Sequence, residues 1–363
     1  VDDLVGPPAL VTVAAVGDVL PHGKVKRMAA RDGWATVFGD TGAVLGAADV
    51  AFANLESPVA PDVPIPLHDE VFDAPATLPP ALAALGIDVV SMANNHAFDQ
   101  GPEGIVETWT RVHAAGLGAV GAGPTLADAT APWITTVRGV RIGFLAFCDL
   151  SNIDGNTTAD APSVFVSGPV CTGDCGADRD AVHYAIDLDR LRGAIDAARP
   201  LVDVLVVSAH WGNEYRTTPL PEYPPLARQL VDAGADVILG HHPHVLQPVA
   251  RIRGDSGREG VVAYSLGNFV SNMAESWTPA NPKGLATTRD GVILRLALAV
   301  WPDGRVEAVA VEPVPVWTDN HPDSLAVRTH AGLAATGDEG LRGLVTARRA
   351  VVDAILGPGV ATP

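Results

Sequence analysis

One pattern constrains this chain more than any other: short β-branched runs repeatedly end in an Asp, Glu, Asn or His. Val11–Val16 runs into Gly17-Asp18, and Val50–Asn54 into Leu55-Glu56. Val89–Met92 runs into Ala93-Asn94-Asn95-His96, Val202–Ser208 into Ala209-His210, and Val237–Leu239 into Gly240-His241-His242-Pro243-His244. Such runs predict buried strands. Helical patterns fall between them: Leu78–Leu85 stops at Gly86, Ile105–Ala115 at Gly116, Leu188–Ala198 before Pro200, and Leu226–Ala233 at Gly234. Alternating strands and helices predict an α/β fold with mostly parallel strands. In open α/β sheets, sites form outside the carboxyl ends of the strands, where these polar residues lie.

Further strands are expected at Val140–Phe147, Val261–Leu266 and Val292–Val300. Two irregular stretches interrupt the alternation. Residues 151–183, rich in Gly, Asp, Ser and Thr, read as an insertion or lid, and 272–290 as a long surface loop. The expected organisation is one domain over 1–314 and a peripheral extension over 315–363, with a helix at Leu341–Leu356.

With 47% hydrophobic residues the chain can bury a large core, and no apolar run reaches the roughly 18–20 residues of a membrane helix. The formal charge of −18, with no stripe of Arg and Lys, argues against nucleic acid as a partner. It also repels polyanions unless metal ions make a site locally positive. Cys171 and Cys175 lie in a Gly/Asp-rich loop, VCTGDCGAD, and read as a small disulfide loop or as two thiols. The disulfide reading implies an oxidising compartment.

The strand-end residues form a mixed oxygen and nitrogen donor set: Asp18, Glu56, Asn95, His210, His242 and His244. Three imidazoles crowded into His241–His244 have little structural rationale. In an extended chain His242 and His244 would share a face. Such donors suit one or two Mn, Fe or Zn ions, which could clamp a phosphoryl or carbonyl oxygen beside an activated hydroxide. His96, outside the ligand set, is the candidate general acid. His22, His241, Asn94, Glu214, Tyr215 and Asn268 are additional candidates, with Asp99 and Gly101 expected to shape the turn after His96.

GDVLPH, ANLESP, SMANNHAFDQGPEG, SAHWGNEY, GADVILGHHPHVLQP and YSLGNF, in this order, resemble the CapA family of bacterial capsule-synthesis, or poly-gamma-glutamate biosynthesis, proteins. The resemblance runs from about Val11 to Asn272, and that family is similar to the calcineurin-like metallophosphoesterases. It implies a four-layer α/β/β/α sandwich with a metal site at one edge of two central sheets. Carried over, the phosphoesterase pattern makes Asp18 a first-metal ligand and puts Glu56 in place of a bridging Asp. Asn95 then binds metal or phosphate, His96 acts beside it, and His210, His242 and His244 complete the ligands. The chain departs from the pattern twice. His22 lies four residues from Asp18 instead of two, and the extra imidazole leaves the ligand position open between His241 and His242. Phe72-Asp73-Ala74-Pro75 matches a further family segment expected to line the substrate side.

Two functions fit these residues. One is a metal-dependent hydrolase of phosphoester, or secondarily amide, bonds in an anionic small molecule or polymer. The other is a non-catalytic accessory protein that binds polymer or capsule-synthesis membrane proteins during assembly and export. The resemblance implies an extracytoplasmic protein, secreted or anchored through a segment outside this sequence.

Overall fold

The computed structural model describes residues 7–62, 71–152, 159–166, 186–282 and 284–357. In chain order the strands are β1 (Ala9–Val19), β2 (Val50–Leu55), β3 (Val89–Ser91), β4 (Gly118–Val120), β5 (Ala122–Gly123), β6 (Trp133–Val137), β7 (Val140–Cys148) and β8 (Ser163–Val164). Then follow β9 (Val204–His210), β10 (Val237–His241), β11 (Val249–Arg253), β12 (Glu259–Ala263), β13 (Asn268–Val270), β14 (Asp290–Val300), β15 (Val306–His321) and β16 (Ser324–Thr329). The helices are α1 (Gly23–Asp32), α2 (Trp34–Phe38), α3 (Gly42–Leu45), α4 (Leu78–Leu85), α5 (Gly101–Ala114), α6 (Leu126–Thr130), α7 (Leu188–Ala198), α8 (Tyr223–Ala233), α9 (His330–Ala335) and α10 (Glu339–Leu356).

Two sheets form the centre. The first runs β16-β15-β14-β1-β2-β3-β4, with β13 also paired to β1, and the second runs β11-β12-β10-β9-β7-β6. Each has a parallel middle, β1 to β4 in the first and β7, β9, β10 and β12 in the second. Antiparallel strands flank both middles.

The period of two along each strand sets the layers. In β7, Ile142, Phe144 and Ala146 join the large core shared with the first sheet, whereas Leu145 and Phe147 join the core under α7 and α8. In β9, Val204 and Val206 face the first sheet while Leu205 and Val207 face those helices. Phe52 of β2 stacks on Phe144 of β7 across the gap, 5.8 Å between centroids and 3° from parallel. Helices α1, α2, α4, α5 and α10 supply Val25, Phe38, Leu82, Ile105 and Leu356 to the core on the first sheet's other face. The architecture is therefore a four-layer α/β/β/α sandwich, as the sequence motifs implied.

The division expected at 314/315 is corrected here, because it falls inside β15. That strand pairs with β14 from Val306↔Val300 to Trp317↔Asp290, and β16 extends the sheet. Residues 315–329 are thus part of the first sheet, and only α9 and α10 lie beyond it. Pro313 and Pro315 hid the strand, since proline demotes a run as a strand. The structure tolerates them because β16 pairs with β15 only from Val316 onward, leaving one side of the proline segment unpaired. The expected disulfide of Cys171 and Cys175, and most of the stretch 151–183 read as a lid, lie outside the described residues.

Candidate metal centre

Asp18 stands near the end of β1, where the register sets it beside Asn54 of β2 and Asn268 of β13. The chain can close this tightly because residue 17 is Gly. A Cβ there would lie 1.8 Å from the carbonyl oxygen of Gly267. The Asp18 amide donates to that same carbonyl at 3.0 Å. Asn54 Nδ2 donates to Asp18 Oδ1 at 2.8 Å and lies 3.3 Å from His210 Nδ1, tying the two sheets together. Glu56 follows β2, and its amide donates to the Val19 carbonyl at 3.1 Å.

The second sheet delivers imidazoles by the same parity. His210 ends β9 on the face of Val204 and Val206, so it points between the sheets. His241 does likewise at the end of β10, its Nδ1 3.2 Å from Asp18 Oδ1 and its ring against Phe52. Had the strand continued, His242 and His244 would have shared the opposite face. They reach the site because the backbone leaves the strand in left-handed conformations, φ +94° at His242 and +56° at His244. The expectation that an extended chain aligns these two side chains is corrected by this turn.

The donors converge in near-complete burial. His244 Nδ1 lies 3.3 Å from Asp18 Oδ2 and 3.1 Å from Asn268 Oδ1, and its Nε2 is 3.7 Å from Glu56 Oε1. Asn268 Nδ2 donates back to the His244 carbonyl at 3.2 Å, so one amide fixes both ends of that residue. His210 Nε2 is 2.8 Å from Asn95 Oδ1 and 3.5 Å from Glu56 Oε1. Among the described residues, three groups offer ligand atoms within 4.8 Å of one another: Glu56, His210 and His242; Asp18, Glu56 and His244; Glu214, His242 and His244.

Burial pushes the Glu56 carboxyl well above the usual range, and the charges of Asp18 and Glu214 push it further. Burial would also raise Asp18, but its contacts with His241 and His244 win and hold it well below that range. Burial and the charge of His244 push the His242 imidazole down to about 4. Burial and His242 likewise keep His210 well below its ordinary value. Burial disfavours a charge on His244, but Asp18 outweighs it and raises that imidazole. Neutral imidazoles are the form that binds metal.

The residues fit a divalent ion. Both oxygens of Glu56 and Nδ1 of His242 are buried with no hydrogen-bond partner among the described residues. Buried polar atoms are nearly always partnered, and a buried carboxylate lacking hydrogen bonds is costly. A bound cation would satisfy both groups together.

Beside this set lies a second arrangement. His96 Nδ1 is 2.9 Å from Asp99 Oδ2, a buried dyad within the turn after β3. Asn94 holds that turn in place, its Nδ2 donating to the Leu55 carbonyl at 2.9 Å and its Oδ1 accepting from the His96 amide at 3.2 Å. Phe72 packs edge-on against His96 at 4.4 Å and against His22 at 5.3 Å, and its amide donates to Asp99 Oδ2. His22 therefore lines the neighbourhood but belongs to none of the three groups, and neither does His241. Tyr215 is 46% exposed, with its ring 6.3 Å from that of His244.

Apolar spacing marks Asn54 only as the last residue of a strand; its parity with Phe52, which faces the second sheet, is the signal that it belongs to the site. Spacing likewise gives Asp99 only a turn role, whereas the structure pairs it with His96.

Residues 12–273 match the family described as bacterial capsule synthesis protein PGA_cap. The chain belongs to that family. Its relatives include the capsule biosynthesis protein CapA of Bacillus anthracis, 32% identical over 285 residues, covering 76% of this chain and 62% of that protein. The PGA biosynthesis protein CapA of Bacillus subtilis is 29% identical over 327 residues, covering 88% of this chain and 77% of that protein. The chain thus spans less than two thirds of the Bacillus anthracis relative. Among solved structures, the NAD nucleotidase of Haemophilus influenzae overlaps 99% of this chain and 58% of its own, with a TM-score of 0.48 and 11% identity.

Proposed function

We propose that this member of the capsule-synthesis family is a metal-dependent hydrolase of phosphoester bonds. Its substrate on this reading is an anionic small molecule or polymer met in capsule or poly-gamma-glutamate synthesis outside the cytoplasm. The observation that carries the reading is Glu56: fully buried, its carboxylate oxygens without a hydrogen bond of ordinary geometry among the described residues, and within ligand reach of Asp18, His210, His242 and His244. Manganese, iron or zinc is the cofactor such donors suit. When bound, divalent ions supply the positive charge that polarises a phosphoryl oxygen and makes water acidic.

The chain's own residues do the rest. Asp18 and Glu56 would hold cations where an overall charge of −18 would otherwise repel an anionic substrate. Asn95, the residue before His96, places its side-chain Oδ1 2.8 Å from His210 Nε2. Asp99 engages Nδ1 of His96, so proton exchange with a leaving oxygen falls to Nε2. Phe72 packs on the His96 ring and limits its rotation. An amide is the second candidate bond, since the same charge stabilises a carbonyl oxygen.

The test is hydrolysis of p-nitrophenyl phosphate and its diester by wild type and His96→Ala, both loaded with Mn2+. Turnover that falls about 10²–10⁴-fold in the variant while metal content is kept supports His96 as the acid. A metal-loaded wild type with no turnover on phosphoesters or amides overturns the hydrolase reading and favours an accessory role.

A further inference from the structure

A short turn follows β7, Asp149-Leu150-Ser151-Asn152, and ties together the loops that carry His210 and Asn95. At one end the Asp149 amide donates to the His210 carbonyl at 3.0 Å, and at the other the Asn152 amide donates to the Asn95 carbonyl at 3.1 Å. The Asp149 carboxylate, only 4% exposed, locks the first end. Its Oδ2 accepts from Tyr223 Oη at 2.6 Å and from the Gly212 amide at 3.2 Å. Asp149 belongs to none of the three groups that could hold an ion, so its burial serves the turn. The turn is thus anchored at both ends beside the contact of His210 Nε2 with Asn95 Oδ1.

Asn152 Nδ2 is buried and has no hydrogen-bond partner among the described residues. Unpaired buried polar groups are rare and costly, so this one calls for a partner from outside the chain. Chemistry narrows the choice. The other buried unpartnered atoms around the centre are oxygens of Glu56, Asn54 and Asp149 and ring nitrogens of His241 and His242, which suit a cation or a proton. An amide NH2 only donates, so it cannot ligate a cation and takes an oxygen acceptor instead. It does so without adding negative charge to a centre that already holds Asp18 and Glu56.

We propose that Asn152 is a substrate-binding residue, its Nδ2 donating to an oxygen of the phosphoryl group brought to the centre. This rests on the hydrolase reading above and deepens it, by assigning a substrate contact that lies outside the ligand set and outside the His96 dyad.

Calorimetric titration of Mn2+-loaded protein with inorganic phosphate tests it. Wild type is expected to bind phosphate, and Asn152→Ala to bind it about tenfold or more weakly, because a hydrogen bond to a charged oxygen is lost. Asn152→Asp keeps the shape but puts an acceptor where the donor was, and is expected to bind more weakly still. Were the amide satisfied by water, which donates as readily as it accepts, Asp would serve as well as Asn. Both variants are expected to keep the Mn2+ content of wild type. An Asn152→Asp protein that binds phosphate as wild type does would overturn the inference and leave the hydrolase reading standing. Loss of Mn2+ from Asn152→Ala would overturn it too, by making residue 152 a ligand to the ion. Wild type that holds Mn2+ but binds no phosphate removes both readings.

Discussion

Asn268 shows how much of this centre depends on residues that need not touch an ion. Its Oδ1 sits 3.1 Å from His244 Nδ1 and its Nδ2 donates to the His244 carbonyl and to that of Thr288. The amide therefore sets both the ring orientation and the left-handed backbone of His244. Replacing Asn268 by Ala should weaken Mn2+ binding about 10–100-fold without unfolding the protein, as read by equilibrium dialysis and circular dichroism. Unchanged affinity would make Asn268 a purely structural turn residue. At this scale the donor types were legible from the chain alone, since few reasons other than a site bring Asp, Glu, Asn and His to the ends of buried strands. Their orientation was not. His242 and His244 reach the centre through positive φ, which residue spacing does not encode, and Asn54 became visible only once its face of β2 was known.

Individual elements fail or succeed at close approaches. Gly240 lies in β10, and a Cβ there would come within 1.9 Å of the Tyr264 carbonyl oxygen. Backbone cannot yield as a flexible side chain does, so Gly240→Ala should destabilise the fold by about 2 kcal/mol or more, measured by urea denaturation. Ordinary stability in that variant would show that β10 and the Tyr264 strand end can separate. At the other end of the chain, burial, with the charges of Arg349 and Arg348, pushes His330 of α9 down to about 4. Between about pH 4 and 6.5 the unfolded chain binds a proton that the folded chain refuses, so stability falls as pH drops through that window. Both ring nitrogens lack hydrogen-bond partners among the described residues, so His330→Leu sacrifices no hydrogen bond there. It should shrink the loss of stability between pH 7 and pH 4.5 by up to about 2–3 kcal/mol. An unchanged slope would place that titration elsewhere. The long, strongly periodic strands and helices are readable from period and caps, with boundaries off by a few residues. Period does not reveal the short or edge strands β4, β5, β6, β8, β11, β13 and β16, nor β15 with its Pro313 and Pro315, nor α1–α3, α6 and α9, most of which have too few apolar positions for a clear period.

Across the whole molecule, two parallel-centred sheets meet so that β1, β2 and β3 of one and β9 and β10 of the other end at a common edge. That meeting makes a site out of five separate motifs; the alternation of strands and helices predicts only donors at strand ends, and the pair of central sheets is what the family resemblance implies. The pairing that closes the first sheet with β15 and β16 was not predicted, because it depends on long-range contacts. The consequence is a cluster of carboxylates and imidazoles held in low-dielectric surroundings within an acidic protein. Without a cation, Glu56 is left buried with no hydrogen-bond partner among the described residues, so an ion bound there should stabilise the fold. Metal content of protein purified without chelators, determined by plasma mass spectrometry for wild type beside Glu56→Gln, tests this claim most directly. The account predicts one to two equivalents of manganese, iron or zinc in wild type and a clear loss in the variant. Wild type that holds no transition metal, even after reconstitution with each, would contradict it.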